Sequence, residues 1–266
     1  MRKYLHVMRV GFQNTMVYRV NFLLRGAFGL IPLIATIYLW RTIYRGGHAE
    51  VAGYTLSSMI SYYLIVTIVD TLTSVTDDDW QIAADIKDGN ISQFLLKPIN
   101  YTMYRMCLFF SGKLIFATMS LLPMGIFIFV ERQYLVAPAG GMELAYFFLS
   151  LALTALLQFF MSYTMALLAF WVLEVSTIIF MLFAFEYIAG GHLFPLNILP
   201  PALEHALNFT PFPYLLFFPV TVYLGQVKGA ALAQGLATQA AWTVGFFFLA
   251  QFVWARGIRK YSAVGG

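Results

Sequence analysis

The sequence has few charged residues and a single cysteine. Asp, Glu, Lys and Arg make up 11% of the 266 residues, where about a quarter is usual in soluble proteins. Because Cys107 is the single cysteine of the sequence, an internal disulfide and a cysteine-rich metal site are excluded. With 61% apolar residues and a mean hydropathy of +0.76, we expect an all-α integral membrane protein.

Motifs for catalysis and nucleotide binding are missing as well. The chain has no G-x-x-x-x-G-K-[ST] loop, no H-E-x-x-H, no G-x-S-x-G and no paired histidines at metal-binding spacing. We therefore expect no enzyme, and no cofactor or metal held by this chain. Its net charge of +4 does not indicate a nucleic-acid partner, because the basic residues stand at the ends of apolar runs. Any energy for work must come from a partner chain or an ion gradient.

Six apolar segments are long enough to cross the roughly 30 Å hydrocarbon core of a bilayer. They cover about 22–43, 54–75, 104–130, 144–170, 174–196 and 231–255. An even number of spans places both termini on one side. With both in the cytoplasm, twelve of the sixteen Lys and Arg residues face the inside, as the positive-inside rule requires. No repeat or linker divides the chain, so residues 1–266 are expected to form one domain.

Residues 1–21 precede the first span and carry apolar residues at helical spacing among basic ones. The apolar residues are Leu5, Met8, Phe12 and Met16. This pattern predicts a helix in the cytoplasmic interface, with its basic side chains near anionic headgroups. An ordinary basic leader that enforces orientation is the alternative.

The longest polar interruption, residues 77–100, lies between the second and third spans. Its sequence is DDDWQIAADIKDGNISQFLLKPIN. Residues 77–88 are acidic and are expected to keep the loop in water. A short helix is expected to follow, with a capping residue, an apolar knob and a terminating proline. These are, in order, Asn90 or Ser92; Phe94, Leu95 and Leu96; and Pro98.

A second irregular region follows the fifth predicted span. Glycines 190 and 191 and several prolines interrupt the helical pattern there. Residues 197–229 are too hydrophobic for a free loop and too often interrupted by proline for a full crossing. We expect one or two short helices that re-enter the outer leaflet between the fifth and sixth spans.

Ionisable residues within spans are the candidates for coupling to an ion gradient. The candidates are Asp70, Lys113, Glu174, Glu186 and His192. Asp70, Lys113 and Glu174 lie near span ends, where snorkelling or a structural pair explains them. Glu186 lies in the middle of an apolar run, so it must face a partner, a cavity or a subunit interface. Either a structural role or a place on a translocation path is compatible with that position.

These features resemble the membrane subunit of an ABC-2 type ABC transporter, in the branch of small bacterial permeases encoded separately from their ATPase. The resemblance is carried by the basic amino-terminal helix, by IKDGNISQFLLKPINY between the second and third spans, and by GGHLFPLNILPPALEHALNFTPFPY before the sixth. The pattern Gly-Asn/Asp, apolar residue, Leu-Leu-x-Pro is its most specific part. The resemblance covers essentially the whole chain.

The resemblance implies a cytoplasmic coupling helix that docks into a groove on an ABC ATPase dimer, which binds ATP and Mg²⁺. The role is carried onto Gly89, Asn90, Ile91, Ser92, Gln93, Phe94, Leu95, Leu96, Lys97 and Pro98. It also implies a second permease, either a copy or a related chain, and a location in the bacterial cytoplasmic (inner) membrane among lipids.

The expected function is ATP-driven export of a hydrophobic or amphiphilic small molecule, drug-like or lipid-like, as in multidrug efflux. Residues expected along the translocation path are Tyr62, Tyr63, Phe159, Tyr163, Glu186, Tyr187 and His192. Aromatic walls suit such cargo, although aromatic residues are also ordinary packing residues in membrane spans. The alternative function is an ion-gradient-driven secondary transporter that uses Glu186 or Asp70.

Overall fold

The structure is a computed structural model that describes residues 2–47, 49–75, 78–138, 140–172 and 174–261. These residues form helices and no strand. Asp77, at the start of the polar interruption, lies outside them. The described residues contain eleven α-helices: α1 (Arg2–Met16), α2 (Arg19–Arg45), α3 (Leu56–Thr73), α4 (Asp78–Lys87), α5 (Ile91–Leu95), α6 (Tyr101–Val130), α7 (Gly141–Ala166), α8 (Val175–Ala189), α9 (Pro201–Asn208), α10 (Phe217–Tyr223) and α11 (Gly229–Lys260).

Five of these helices are long and apolar enough to cross a membrane. They are α2, α3, α6, α7 with the 3-10 turn Leu167–Phe170 that extends it, and α11. Each coincides with one of the predicted spans. The fold is therefore all-helical and consistent with an integral membrane protein, as the composition predicts.

The remaining predicted span, 174–196, contains a shorter helix. α8 has 15 residues, which makes it about 22 Å long, less than the roughly 30 Å of the hydrocarbon core. It ends before Gly190, and Gly191 then adopts φ +93°, a left-handed conformation that suits glycine. Because the helix stops there, a sixth crossing stays a prediction.

Two helices organise the packing of the others. α7 contacts α3, α4, α8, α10 and α11, while α6 contacts α1, α2 and α3. α3 joins the two groups and is the most enclosed span, with 61% of its most apolar stretch buried, against 11% for α2. α2 therefore offers most of its surface to lipid or to another chain.

α1 and α2 approach α6 closely at two glycines. A Cβ added to Gly11 would lie 2.7 Å from Ser111 Oγ, and one added to Gly26 would lie 2.8 Å from Ser120 Cα. Distances below 3.0 Å are essentially never observed for real Cβ atoms. The two glycines thus allow the chain around the bend between α1 and α2 to lie directly on α6.

Two short helices occupy the segment 197–229. α9 has no buried residue, whereas α10 packs against α3 and α7 and buries Phe218 and Val220. The depth of this segment in the membrane, and hence its re-entrant character, stays a prediction.

Candidate functional site

The polar interruption folds into two short helices on either side of Gly89. We call residues 78–100, which contain α4 and α5, the elbow. Gly89 has φ +79°, so a residue with a Cβ would be strained there. Ile82 and Ile91 of the elbow are buried, and α4 packs against α7 and the 3-10 turn that extends it. The elbow is therefore attached to the end of the helix bundle.

A charged network fastens α4 to α6. Asp85 Oδ2 lies 3.3 Å from Arg105 Nη2 and accepts a 2.8 Å hydrogen bond from the Tyr101 hydroxyl. Arg105 Nε donates to that hydroxyl at 3.1 Å, and its Nη1 donates to Gln81 Oε1 at 3.4 Å. Only 5% of the Arg105 side chain is exposed, and a buried guanidinium needs such partners to offset its desolvation.

Aromatic contacts fasten α5 to α6. The Phe94 ring centroid lies 5.0 Å from that of Tyr101 and 4.9 Å from that of Tyr104. These are distances at which aromatic pairs stabilise a fold beyond the area they bury. Phe94 therefore packs towards the bundle and is only partly exposed.

The carboxyl-terminal end of α11 completes this contact surface. Trp254 stacks on Tyr101 with centroids 5.1 Å apart and ring planes 12° apart. The Ser92 and Tyr261 hydroxyls form a 3.0 Å hydrogen bond. Ser92 thus binds the residue that follows α11. Asn90 occupies the N-cap position of α5, as the sequence predicts, but its side chain makes no capping hydrogen bond.

The amino-terminal helix α1 holds the exit of the elbow. Lys3 Nζ donates a hydrogen bond to the Pro98 carbonyl, and the Asn100 backbone N–H donates to the Tyr4 hydroxyl at 3.2 Å. Asn100 Oδ1 accepts from the Met103 N–H at 3.0 Å and so caps α6. Movement of the elbow would therefore displace α1 and α6 together.

The outer surface of the elbow is apolar at its tip. Leu95 is 53% exposed and Leu96 is 88% exposed. Gln93, Lys97 and Pro98 around them are exposed as well. The predicted apolar knob is therefore divided: Leu95 and Leu96 point outwards, while Phe94 belongs to the anchoring contacts.

Two predicted path residues, Tyr62 and Tyr63, hold the chain that follows α8. Both are buried on α3. The Tyr62 hydroxyl donates to the Gly191 carbonyl at 2.6 Å, and the Tyr63 hydroxyl donates to the Leu193 carbonyl at 2.7 Å. These bonds satisfy backbone carbonyls exposed where α8 has ended.

His192 lies between Gly191 and Leu193, whose carbonyls accept these two bonds. Its side chain contacts the carboxyl-terminal end of α3. Its Nε2 is 3.4 Å from Asp70 Oδ1, and its ring stacks on Tyr187 with centroids 4.9 Å apart. Asp70, His192, Tyr187 and the two α3 tyrosines thus form one group around the break after α8. Tyr187 is itself half exposed.

The other predicted path residues lie apart from that group. Glu186 is buried and accepts a 2.9 Å hydrogen bond from Gln158 Nε2 of α7. Phe159 stacks on Tyr163, and the Tyr163 hydroxyl is 3.1 Å from Thr102 Oγ1 of α6. The aromatic residues therefore do not line one continuous wall. No cluster of three metal-ligating side chains occurs in the described part of the chain.

The sequence was compared with known families and proteins. A family model described as "ABC-2 family transporter protein" matches residues 30–265. The chain belongs to the ABC-2 transporter family. It is therefore an ABC transporter permease and a multi-pass membrane protein, and its family implies a partner ATPase. A search of curated proteins finds no match.

Sequence reasoning missed the residues that anchor the permease elbow. The sequence predicts no role for Trp254 or Tyr261, and none for Arg105 beyond the positive charge that it adds to the cytoplasmic side. The available signal was weak: an arginine one turn inside an apolar helix needs a partner. The sequence does not show which of several nearby aspartates that partner is.

Proposed function

We propose that the permease belongs to an ATP-driven exporter and that the elbow couples it to a separate ATPase. The observation that carries this proposal is the exposed pair Leu95 and Leu96 at the tip of an elbow whose isoleucines, Ile82, Ile86 and Ile91, are buried. An exposed apolar pair on an anchored element is suited to insertion into a groove on a partner. Of the ten predicted coupling residues, these two make the central contact in the proposed complex.

The contacts of the elbow connect this exposed surface to the membrane-spanning helices. α4 packs on α7, Phe94 contacts the start of α6, and Ser92 binds the end of α11. When ATP closes the ATPase dimer, a rigid elbow would move these three helices together. Such motion supports an alternation between inward-open and outward-open states.

In this scheme the permease performs no catalysis. ATP and Mg²⁺ would bind to the ATPase subunits, in agreement with the lack of a phosphate-binding loop in the sequence. The permease would contribute a path whose affinity for cargo differs between the two states.

The proposed arrangement has six spans, with α8 as a short fifth one. Both termini, α1 and the elbow would face the cytoplasm of a bacterium, and α9 and α10 would re-enter the outer leaflet. The charge bias of the sequence supports this orientation. A second permease, identical or related, would complete the path.

The proposed cargo is a hydrophobic or amphiphilic small molecule, as in multidrug or lipid export. Support comes from the aromatic group around the break after α8, in which Tyr187 stacks on His192 while Tyr62 and Tyr63 bond to the backbone on either side of it. Glu186, Phe159 and Tyr163 would then act on the path through the packing of α7 and α8.

The coupling proposal is tested by Leu96→Asp, with Ala84→Asp as a control. Ala84 is an exposed residue of α4 in the same elbow but away from its tip in sequence, so the control adds the same carboxylate. The ATPase encoded beside the permease would be co-purified with each variant. We expect Leu96→Asp to weaken its binding about tenfold, as for loss of a central interface contact, and Ala84→Asp to leave it unchanged. Equal ATPase binding by both variants would contradict the proposal.

One observation favours a second function, transport driven by an ion gradient. The Asp70 side chain is 46% exposed and lines a cavity of about 310 Å³, and His192 lies beside it. Titratable pairs of this kind within a membrane can carry protons. A carrier of this class would transport its substrate in vesicles that contain no ATP.

A further inference from the structure

A second and larger cavity lies where α1 bends into α2. It has a volume of about 580 Å³ and is enclosed by the end of α1, the start of α2 and the first half of α6. Phe22, Leu108 and Phe116 supply apolar walls, and Asn14 and Asn21 supply amides. Gln81 of the elbow also lines it, and it shares Arg25 and Phe116 with the neighbouring cavity of about 310 Å³ that Asp70 lines.

The charged residues that line this cavity are both cationic. They are Arg25 of α2 and Lys113 of α6, and no carboxylate occurs among the described residues that line it. Lys113 is 8% exposed, and its Nζ donates to Ser74 Oγ at 3.2 Å. Arg25 also has a partner within the protein, so a ligand would add to these contacts. Guanidinium, ammonium and amide groups all donate hydrogen bonds, which suits an anionic phosphate.

The surroundings of the cavity favour a lipid over a soluble anion. α2 is the least enclosed of the spans, and its Leu24 and Phe28 are exposed next to Arg25 in sequence. Arg25 lies six residues into α2, which is about 9 Å along the helix. An arginine at that depth reaches the phosphate level of a bilayer, and acyl chains would cover the exposed apolar side chains.

We propose that the cavity between the α1–α2 bend and α6 binds the phosphate headgroup of an acidic phospholipid. The phosphate contacts Arg25 and Lys113, and the amides of Asn14 and Asn21 donate to the remaining oxygens of the headgroup. The acyl chains lie along the exposed side of α2. The binding can be measured without cargo or ATPase, so the site can be tested independently of the proposed transport function.

Two glycines of α6 provide a matched pair of variants. Gly112 lines the cavity, Gly125 does not, and a Cβ added to either would meet nothing within 4 Å. Gly112→Leu therefore starts a side chain in open space at the cavity wall and reduces the cavity volume, while Gly125→Leu adds the same side chain to the same helix elsewhere. Arg25→Gln removes one charge at an exposed position and guards against a Gly112→Leu variant that fails to fold.

The experiment measures lipid binding to the full-length permease, purified and stripped of lipid, by native mass spectrometry. The probes are dioleoylphosphatidylglycerol, dioleoylphosphatidylcholine and inorganic phosphate. We expect the wild type and Gly125→Leu to bind one phosphatidylglycerol about tenfold more tightly than Gly112→Leu and Arg25→Gln do, which is the loss expected for a charge-assisted contact. Phosphatidylcholine binds weakly to all four.

Three results would overturn the proposal. The first is equal affinity of Gly112→Leu and Gly125→Leu for phosphatidylglycerol, and the second is no preference of the wild type for it over phosphatidylcholine. The third is displacement of phosphatidylglycerol by inorganic phosphate, which would assign the cavity to a soluble phosphate compound.

Discussion

Asp85 of α4 and Arg105 of α6 form an ion pair of 3.3 Å, and the Tyr101 hydroxyl binds both side chains. The pair joins the elbow to the helix that continues into the membrane. Because Arg105 is almost fully buried while Asp85 is partly exposed, the arginine depends on this carboxylate more than the reverse. The elbow is thereby held in one orientation relative to α6.

Asp85→Asn is expected to destabilise the permease. The variant leaves the Arg105 guanidinium buried without its countercharge, which costs about 2 kcal/mol at a partly exposed pair. We expect a lower midpoint temperature of thermal unfolding in detergent. Asp88→Asn is the control, because Asp88 is an exposed aspartate of the same elbow, and it should shift the midpoint little.

The double variant Asp85→Asn with Arg105→Gln separates the ion pair from general damage. Once both charges are removed, no buried charge is left alone, so part of the lost stability should return. Strictly additive effects of the two single variants would show that the two side chains do not interact.

The sequence predicted the helical, membrane-spanning character of the chain because long apolar runs determine it. The runs that became α2, α3, α6, α7 and α11 needed no tertiary information. The two glycines after α8 likewise marked the end of that helix. The predicted span, 174–196, is longer than the 15-residue helix found there, because the apolar residues continue beyond the break.

The side-chain contacts could not be predicted from the sequence. A membrane helix is apolar on every face, so its pattern does not show which face turns inwards. Phe94, Leu95 and Leu96 look equivalent in the sequence, yet only Phe94 packs on Tyr101. The contact between His192 and Asp70 joins residues that are 122 positions apart, and no local rule relates them.

Tyr62→Phe is expected to destabilise the chain around Gly191. Tyr62 is fully buried, so loss of its hydroxyl leaves the Gly191 carbonyl without that donor in a dry environment, at a cost of about 1–3 kcal/mol. Limited proteolysis or hydrogen exchange at residues 190–193 should increase. Tyr187→Phe, at a half-exposed position of the same group, is the control and should change neither readout.

Tyr54, which precedes α3, should make stability sensitive to alkaline pH. Burial raises the pKa of its hydroxyl to about 12 from the usual 10.0, although hydrogen bonds with Gln226 and Asn197 oppose the shift. The unfolded chain therefore loses this proton at lower pH than the folded one. The resulting stability is complete below pH 10 and is lost as the pH rises towards 12.

The matching measurement is the thermal midpoint of wild type and Tyr54→Phe between pH 9 and pH 11. The phenylalanine variant loses the 2.9 Å hydrogen bond to Gln226 Oε1 and should be less stable at pH 9. Its curve should then fall less steeply than that of the wild type. Parallel curves would show that Tyr54 does not contribute to the alkaline loss.

Glu186→Gln distinguishes ATP-driven export from transport by an ion gradient. Glu186 accepts its hydrogen bond from Gln158 through one oxygen, and a glutamine can present its carbonyl oxygen in the same place, so the contact between α7 and α8 should survive. A carrier that depends on titration of this carboxylate loses gradient-driven transport in vesicles when it is replaced by an amide. We instead expect substrate export that requires ATP and the partner ATPase. Glu186→Gln should retain this export within about threefold, a difference of less than 1 kcal/mol. Export without ATP that vanishes in Glu186→Gln would replace the exporter proposal with the gradient-driven one.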